Sequence, residues 1–428
     1  MQSTINSALC FFDTSPQQTD IISSRIVDYF PSTNIVGNDI PIQFDVTANA
    51  DDYIDCQSID LELCVQIKKT DGTNIDSKDK VGLINLPIAS LFSDVTLSLN
   101  NKQIEGGDSS YPYGAYLYTL TQFQNQAKQT HLQAAGWFTD QSGKFDDFAN
   151  NGLKKRVELT ADSAELHLKG PVYLDFFRQS RYLLSQVQMR LTFVRAKSKF
   201  ALMSFGPAAS YDVHITEAVL NVRRVKMNPT VINQHAVGLK NHNAIYPVNH
   251  SVLTTFTIPA TTSSFDYPNL FPIALPKAVY IAFVENESFC GNFQKNPFHF
   301  QHFGITKLGL FADGNSVACK AYQPNFKENN FVREYCSTFM ALDMFNTDDS
   351  NGITMDMYKN GYFYILYNLK ADCDITGENV DVTKAGNLRL ELTFADPLKV
   401  PVTGLLYAIY DSSIEITRLR DVLANYQR

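Results

Sequence analysis

Residues 94–120 read D-V-T-L-S-L-N-N-K-Q-I-E-G-G-D-S-S-Y-P-Y-G-A-Y-L-Y-T-L, and the fold turns on how this stretch is parsed. Val95, Leu97 and Leu99 alternate with polar residues, the two-residue period of a strand that buries one face. Asn100-Asn101 is a tight-turn signal, because Asn tolerates positive φ better than most side chains. A return strand follows from Lys102 and stops at Gly106-Gly107. Pro112 suits the first turn of a helix. Tyr113, Tyr116, Leu117, Leu120 and Phe123 then fall on one helical stripe. The expectation is a hairpin followed by an aromatic helix packed on a sheet. No catalytic residue stands in it, and its role reads as scaffold.

The same strand rhythm continues on both sides. Ile40, Ile42, Phe44 and Val46 alternate, as do Ile59, Leu61, Leu63, Val65 and Ile67 before the Asp71-Gly72 turn. Val187, Met189, Leu191 and Phe193 form another strand, and Val213 to Val225 close the first half at Asn228-Pro229. Beyond it, Val252, Thr254, Phe256 and Ile258 open a second series. Pro268, Pro272 and Pro276 punctuate the loop before Val279, Ile281 and Phe283. Leu388, Leu390, Leu392 and Phe394 alternate near the end, and Leu405 to Ile416 supply the last strands. Residues 1–34 are polar and irregular, which predicts an arm. Residues 138–160 lack periodicity and are expected to be a long exposed loop.

Segments recur along the chain. Met189-Arg190-Leu191-Thr192-Phe193 returns as Leu390-Glu391-Leu392-Thr393-Phe394. Val219-Leu220-Asn221-Val222-Arg223-Arg224-Val225 returns as Ile414-Glu415-Ile416-Thr417-Arg418-Leu419-Arg420. The hairpin from Leu97 to Ile104 has a counterpart from Leu308 to Val317, and each is followed by an aromatic-Pro step, Tyr111-Pro112 and Tyr322-Gln323-Pro324. The offsets stay between 195 and 211 residues, which points to duplication. Each half holds about eight strand candidates, a number that suits the two-sheet antiparallel jelly roll. The expected class is all-β with short helices: two tandem eight-stranded antiparallel jelly-roll sandwiches. The expected division is an arm over 1–34, a first jelly roll over 35–229, a linker over 230–245 and a second jelly roll over 246–428.

The chain has 428 residues, and its 44% hydrophobic content can fill two cores. Charged residues are 19% and aromatics 12%, with 30 Phe and 21 Tyr but a single Trp. Low charge with many aromatics is the composition of a surface partly given to permanent contacts, so an oligomer is expected. The net charge of −8 argues against broad nucleic-acid binding, which needs clustered Lys and Arg. The small basic clusters, Lys154-Lys155-Arg156 and Arg223-Arg224 with Lys226, read as a solvated loop and a strand end. Seven cysteines (10, 56, 64, 290, 319, 336 and 373) include no CxxC and no Cys/His zinc spacing. Neither a signal-peptide core nor a run of the ~20 apolar residues of a membrane span occurs. Folding in a reducing cytosol or nucleus is expected, with free thiols and with unused sequons at Asn249 and Asn286.

Candidate chemistry is sparse. His299 and His302 are the one close histidine pair, but strand residues three apart point to opposite faces, so packing among Phe298, Phe300 and Phe303 is the reading. Asp51-Asp52, Asp146-Asp147 and Asp348-Asp349 bring a glycosidase to mind. Adjacent side chains diverge, however, and solvated loop charge is expected. Neither a Gly-x-Ser-x-Gly elbow nor a Walker A motif occurs. No catalytic, cofactor-binding or metal residue is assigned, and no cofactor or enzyme activity is expected. A carbohydrate-binding or carbohydrate-cleaving β-sandwich is the competing reading. Lack of a leader and the single Trp weigh against it.

Four segments carry a family resemblance: Asn38-Asp39-Ile40-Pro41-Ile42-Gln43-Phe44, Leu97-Ser98-Leu99-Asn100-Asn101-Lys102-Gln103-Ile104, Tyr111-Pro112-Tyr113-Gly114-Ala115-Tyr116 and Val222-Arg223-Arg224-Val225-Lys226. In order and spacing they resemble the hexon-type major capsid proteins of Maverick/Polinton elements and adintoviruses. The resemblance covers residues 28–230 by motif and the rest by size and strand rhythm. It implies a double jelly-roll coat protein of the virion, made in the host cytoplasm and assembled in the nucleus or cytoplasm. Three copies would form a pseudo-hexameric capsomer, and capsomers would tile an icosahedral shell around double-stranded DNA. A penton or minor capsid protein would be a partner, without direct membrane insertion.

Overall fold

The computed structural model describes residues 17–35, 37, 40–76, 78–109, 111–206, 210–271, 274–318, 320–370, 375 and 386–425. Residues 1–16 of the expected arm, Asn38-Asp39, Pro272, Cys10, Cys319 and Cys373 lie outside them. The first half contributes β1 (Ile21–Tyr29), β2 (Ile42–Val46), β3 (Asp52–Lys69), β4 (Val81–Leu83), β5 (Phe92–Leu99), β6 (Lys102–Glu105), β7 (Leu166–Pro171), β8 (Met189–Arg195), β9 (Leu202–Ser204) and β10 (Tyr211–Met227). From the second half come β11 (Ala244–Ile258), β12 (Ser264–Tyr267), β13 (Ala278–Glu285), β14 (Ile305–Ala312), β15 (Asn315–Ser316), β16 (Tyr364–Asn368), β17 (Leu388–Phe394), β18 (Val402–Ile416) and β19 (Val422–Asn425).

Named strands pair only within their own half, and every pairing is antiparallel. The first half builds β1-β10-β3-β7 and β2-β8-β5-β6, with β4-β9 as a small side ladder. The second builds β11-β18-β13-β16, extended by β19, and β12-β17-β14-β15. Each strand of one order has its counterpart at the same place in the other. The echoed pentapeptides are β8 and β17, and the echoed hairpins are β5-β6 and β14-β15. The third echo begins within β10 and β18, although its last residues, 417–420, run past the end of β18. The fold is therefore mostly β with short helices, in two sandwiches of common strand order.

Local chemistry explains the elements. Alternation buries Ile42, Phe44 and Val46 against Met189, Leu191 and Phe193, and the Phe44 and Phe193 rings meet edge to face at 5.7 Å. Asn100 and Asn101 both take positive φ, 45° and 64°, as a two-residue hairpin turn requires. Gly106, at φ 85°, lies so close to β5 that a Cβ would stand 2.2 Å from the Val95 carbonyl oxygen. The aromatic stripe does form a helix, Tyr111–Gln122, buried on nearly all sides.

Two expectations are corrected. Residues 21–29 of the supposed arm are the edge strand β1, paired with β10 from Ile21↔Met227 to Tyr29↔Leu220. The strand escaped notice because Ser23-Ser24 break its alternation, and Ile22 and Ile26 face outward. The expected linker segment holds a helix, Pro229–Gly238, which agrees with its place between the halves. Asn228 caps it by accepting from the Thr230 N–H, and Pro229 fits its first turn. Residues 138–160 are no exposed loop: they contain the helix Asn151–Leu159, and Phe145, Asp140, Asn150 and Arg156 are buried.

The Tyr111–Gln122 helix sits between the halves. Tyr116 stacks on Phe298 at 4.1 Å and also meets Trp137 and Phe300. Gly114 faces the Tyr407 ring on β18, where an added Cβ would lie 3.1 Å from the ring. Gly114→Val overpacks this contact and is expected to lower unfolding free energy by about 1–3 kcal/mol, read by urea denaturation.

Candidate functional site at the junction of the sandwiches

The joint between the halves is made by side chains that the sequence reading left on the surface. Arg156 is almost wholly buried and pairs with Asp140 at 2.8 Å. It also donates to the carbonyls of Leu83 and Phe138. Asn150 donates to the same carboxylate and accepts from the N–H groups of Gly152 and Gln141. From the second half, Tyr362 donates its hydroxyl to the Asp140 carbonyl at 2.7 Å, and the Asn360 carbonyl accepts from the Gly143 N–H. The Asp/Asn/Gly-rich composition that suggested a solvated loop thus supplies internal caps and a buried pair. Lys128 adds a pin. Its ammonium donates to the Leu120 and Asn351 carbonyls, and burial lowers it to about 7.

A second cluster joins β6 to β11. Glu105, at the end of β6, accepts from the backbone N–H groups of Asp175 and Phe176 at 2.6 and 3.0 Å. Asp175 pairs with Arg178 at 2.9 Å and accepts from the Ser251 N–H of β11. The Arg178 guanidinium lies 3.7 Å over the Tyr118 ring. Burial, then the charge of Asp175, pushes the Glu105 carboxyl up to about 8 against its two N–H donors. Glu105, Asp175 and Ser251 border a cleft of 480 Å³ that Asp94, His250, Phe271 and Tyr410 also line. Three of its acidic side chains are engaged from within: Asp94 accepts from the Gly107 N–H with both oxygens, while Glu105 and Asp175 hold the contacts above. Of these contacts, the bond from the Ser251 N–H to Asp175 crosses from the second half to the first.

The candidates of the sequence scatter. His299 stacks on Phe145 at 4.7 Å and meets Asp146 at 3.0 Å. Burial raises the Asp146 carboxyl, but the His299 bond and charge, with the Asn296 N–H and Lys295, hold it below its usual value. His302 stacks instead on Phe326 at 3.8 Å and accepts from the Gly304 N–H, and burial lowers it to about 4. The two imidazoles serve separate packing roles. Asp52 is not loop charge: it is buried at the start of β3 and pairs with Arg25 of β1 at 2.8 Å. Asp147 caps the Ala149 N–H, and Asp349 accepts from Gln124. Of the basic clusters, Arg156 and Arg224 are buried, the latter on the Tyr29 hydroxyl and the Thr47 carbonyl. A helical stripe of Gly152, Leu153 and Arg156 was the available sign that Arg156 points inward.

No protein-family model matches the chain. It is 21% identical over 403 residues to the uncharacterized protein F54H12.2 of Caenorhabditis elegans, covering 90% of this chain and 93% of that protein. A chain of the Sputnik virophage cryo-EM structure superposes with a TM-score of 0.66 at 13% identity, over 100% of this chain and 93% of that one. A chain of the PBCV-1 virus capsid model gives 0.57 at 12% identity, over 98% and 100%. The fold is the double jelly roll. Within this double jelly roll, the Tyr111–Gln122 helix, the Asp140–Arg156 pair and the Glu105 cluster all lie where the two rolls meet.

Two outcomes test the joint. Arg156→Met leaves Asp140 buried without its cation and is expected to cost about 3–5 kcal/mol of stability, read by chemical denaturation. Glu105 holds a proton in the folded chain that the unfolded chain loses above its usual 4.5. The stability it contributes is complete below pH 4.5 and is lost as the pH rises to about 8. Denaturation at pH 5 and pH 8 should show that loss in the wild type, and Glu105→Gln should flatten the difference.

Proposed function

We propose that this chain is a structural capsid protein that assembles with copies of itself into a virion shell and catalyses no reaction. The observation that carries the reading is the repeat of one strand order in both halves of a double jelly roll. Three such chains around a threefold axis present six similar corners, a pseudo-hexameric block able to tile an icosahedral shell. The first sandwich unit begins at Ile21 rather than residue 35 and runs to Met227, the helix Pro229–Gly238 lies in the connection, and the second unit opens with β11 at Ala244.

The surface of β1 supports the reading. This edge strand leaves Ile22 and Ile26 56% and 68% exposed, and Phe30 just beyond it 67%. They recur every fourth residue, so a strand presents them on one face. An apolar edge of this kind is an aggregation hazard unless a neighbour covers it. Among the described residues no helix is long and apolar enough to cross a membrane.

More finely, we assign the chain to the Maverick/Polinton and adintovirus type of coat protein, with a separate penton protein at the vertices. Support comes from the motifs of the first half and from a relative in a nematode. Light scattering should find trimers of about 144 kDa, three times the 48.1 kDa chain, and negative-stain images should show hexagonal blocks. Ile26→Asp with Phe30→Asp should leave the fold intact while weakening assembly. A strict monomer at every concentration would overturn the proposal.

A further inference from the structure

The register of the first sandwich brings together three donors that lie far apart in sequence. Cys64 on β3 is the Cα partner of His167 on β7, 103 residues later. Directly opposed residues of an antiparallel pair share a face, with Cβ atoms about 5 Å apart. Glu165 precedes His167 by two positions, so it lies on that same face, diagonal to Cys64. Leu61, Leu63, Val65 and Ile67 of β3 fill the core, and Cys64 belongs to the opposite, outer series with Glu62 and Gln66. Its neighbours leave it only 4% exposed, whereas Glu165 and His167 are exposed. One ligand atom from each, thiol, imidazole and carboxylate, lies within 4.8 Å of the others.

We propose that Cys64, His167 and Glu165 form a zinc-type divalent cation site on the outer face of the β1-β10-β3-β7 sheet. Zinc takes this mixture of sulfur, nitrogen and oxygen in tetrahedral geometry, and the borderline-soft thiolate disfavours magnesium and calcium. Tetrahedral zinc with bonds of about 2.0–2.3 Å sets its ligand atoms about 3.5 Å apart. From separations of no more than 4.8 Å, that geometry is within reach of rotation by the two exposed side chains. Glu217 of β10, the Cα partner of Cys64 on its other flank, is exposed and offers a fourth oxygen beside water. A bound cation would tie β7, the last strand of its sheet, to β3 by bonds that do not depend on backbone pairing.

The full chain, stripped of metal and dialysed against limiting Zn²⁺, should retain one zinc per chain by elemental analysis. Co²⁺ in its place should give the intense near-ultraviolet absorption of a cobalt–thiolate bond. Both signals should vanish in Cys64→Ser and in His167→Ala, and persist in Cys290→Ser, which removes an exposed thiol elsewhere. Because His167 and Glu165 are exposed, His167→Ala and Glu165→Gln keep the test valid if Cys64→Ser misfolds, with circular dichroism as the control. Zinc should also raise the melting temperature of the wild type and not of His167→Ala. Absence of stoichiometric zinc in the folded wild type, or retention of the cobalt–thiolate band without His167, overturns the site.

Discussion

Two sandwiches in one polypeptide must bury more than their own cores, because a helix that is aromatic on nearly every side has nowhere else to go. The Tyr111–Gln122 helix leaves the first half and presents Tyr113 and Tyr116 to Phe289, Phe298 and Phe300 of the second. Each such ring removes a large apolar area from water, and the stacked and edge-on contacts add orientation. Gly114 is small because Tyr407 occupies the space its side chain would take. The relative placement of the rolls follows from filling this one aromatic layer.

Charges inside that joint are the corollary. Buried Arg156 meets two backbone carbonyls and the Asp140 carboxylate, Lys128 donates to two carbonyls, and half-buried Arg178 pairs with Asp175. A buried ion pair adds little net stability over an apolar pair of equal volume, but it is unforgiving of misplacement. Apolar packing holds the rolls together, and these groups select one way of doing so. The cleft beside Glu105 opens next to this arrangement, and the Asp94 and Glu105 oxygens on its wall accept from backbone N–H groups.

Regular strands were readable because their signal is local. The alternation at Ile42, Phe44 and Val46, the Asn100-Asn101 turn and the helical stripe from Tyr113 each depend on neighbours in sequence. The 195–211 residue echo was legible for the same reason, since duplicated strands keep their pattern. What stayed hidden depends on partners far away. β1 lacks clean alternation because its outward face carries isoleucines. Residues 138–160 look solvated because Asp, Asn and Gly are frequent in them, yet Asn150 bonds Asp140 and Asp146 meets His299. Arg156 looks like surface until Leu83 and Asp140 appear beside it. The His299 and His302 environments come from Phe145 and Phe326, which no spacing rule connects to them.

The order in which the chain leaves the ribosome gives the aromatic layer a kinetic side. Tyr116 and Trp137 emerge with the first half, but Phe298 follows Trp137 by 161 residues. At ~5–20 residues per second, that is roughly 8–30 s during which the nascent chain carries its stickiest patch bare. Chaperone engagement in this interval, rather than the final stability of the joint, would then set the yield of folded chains.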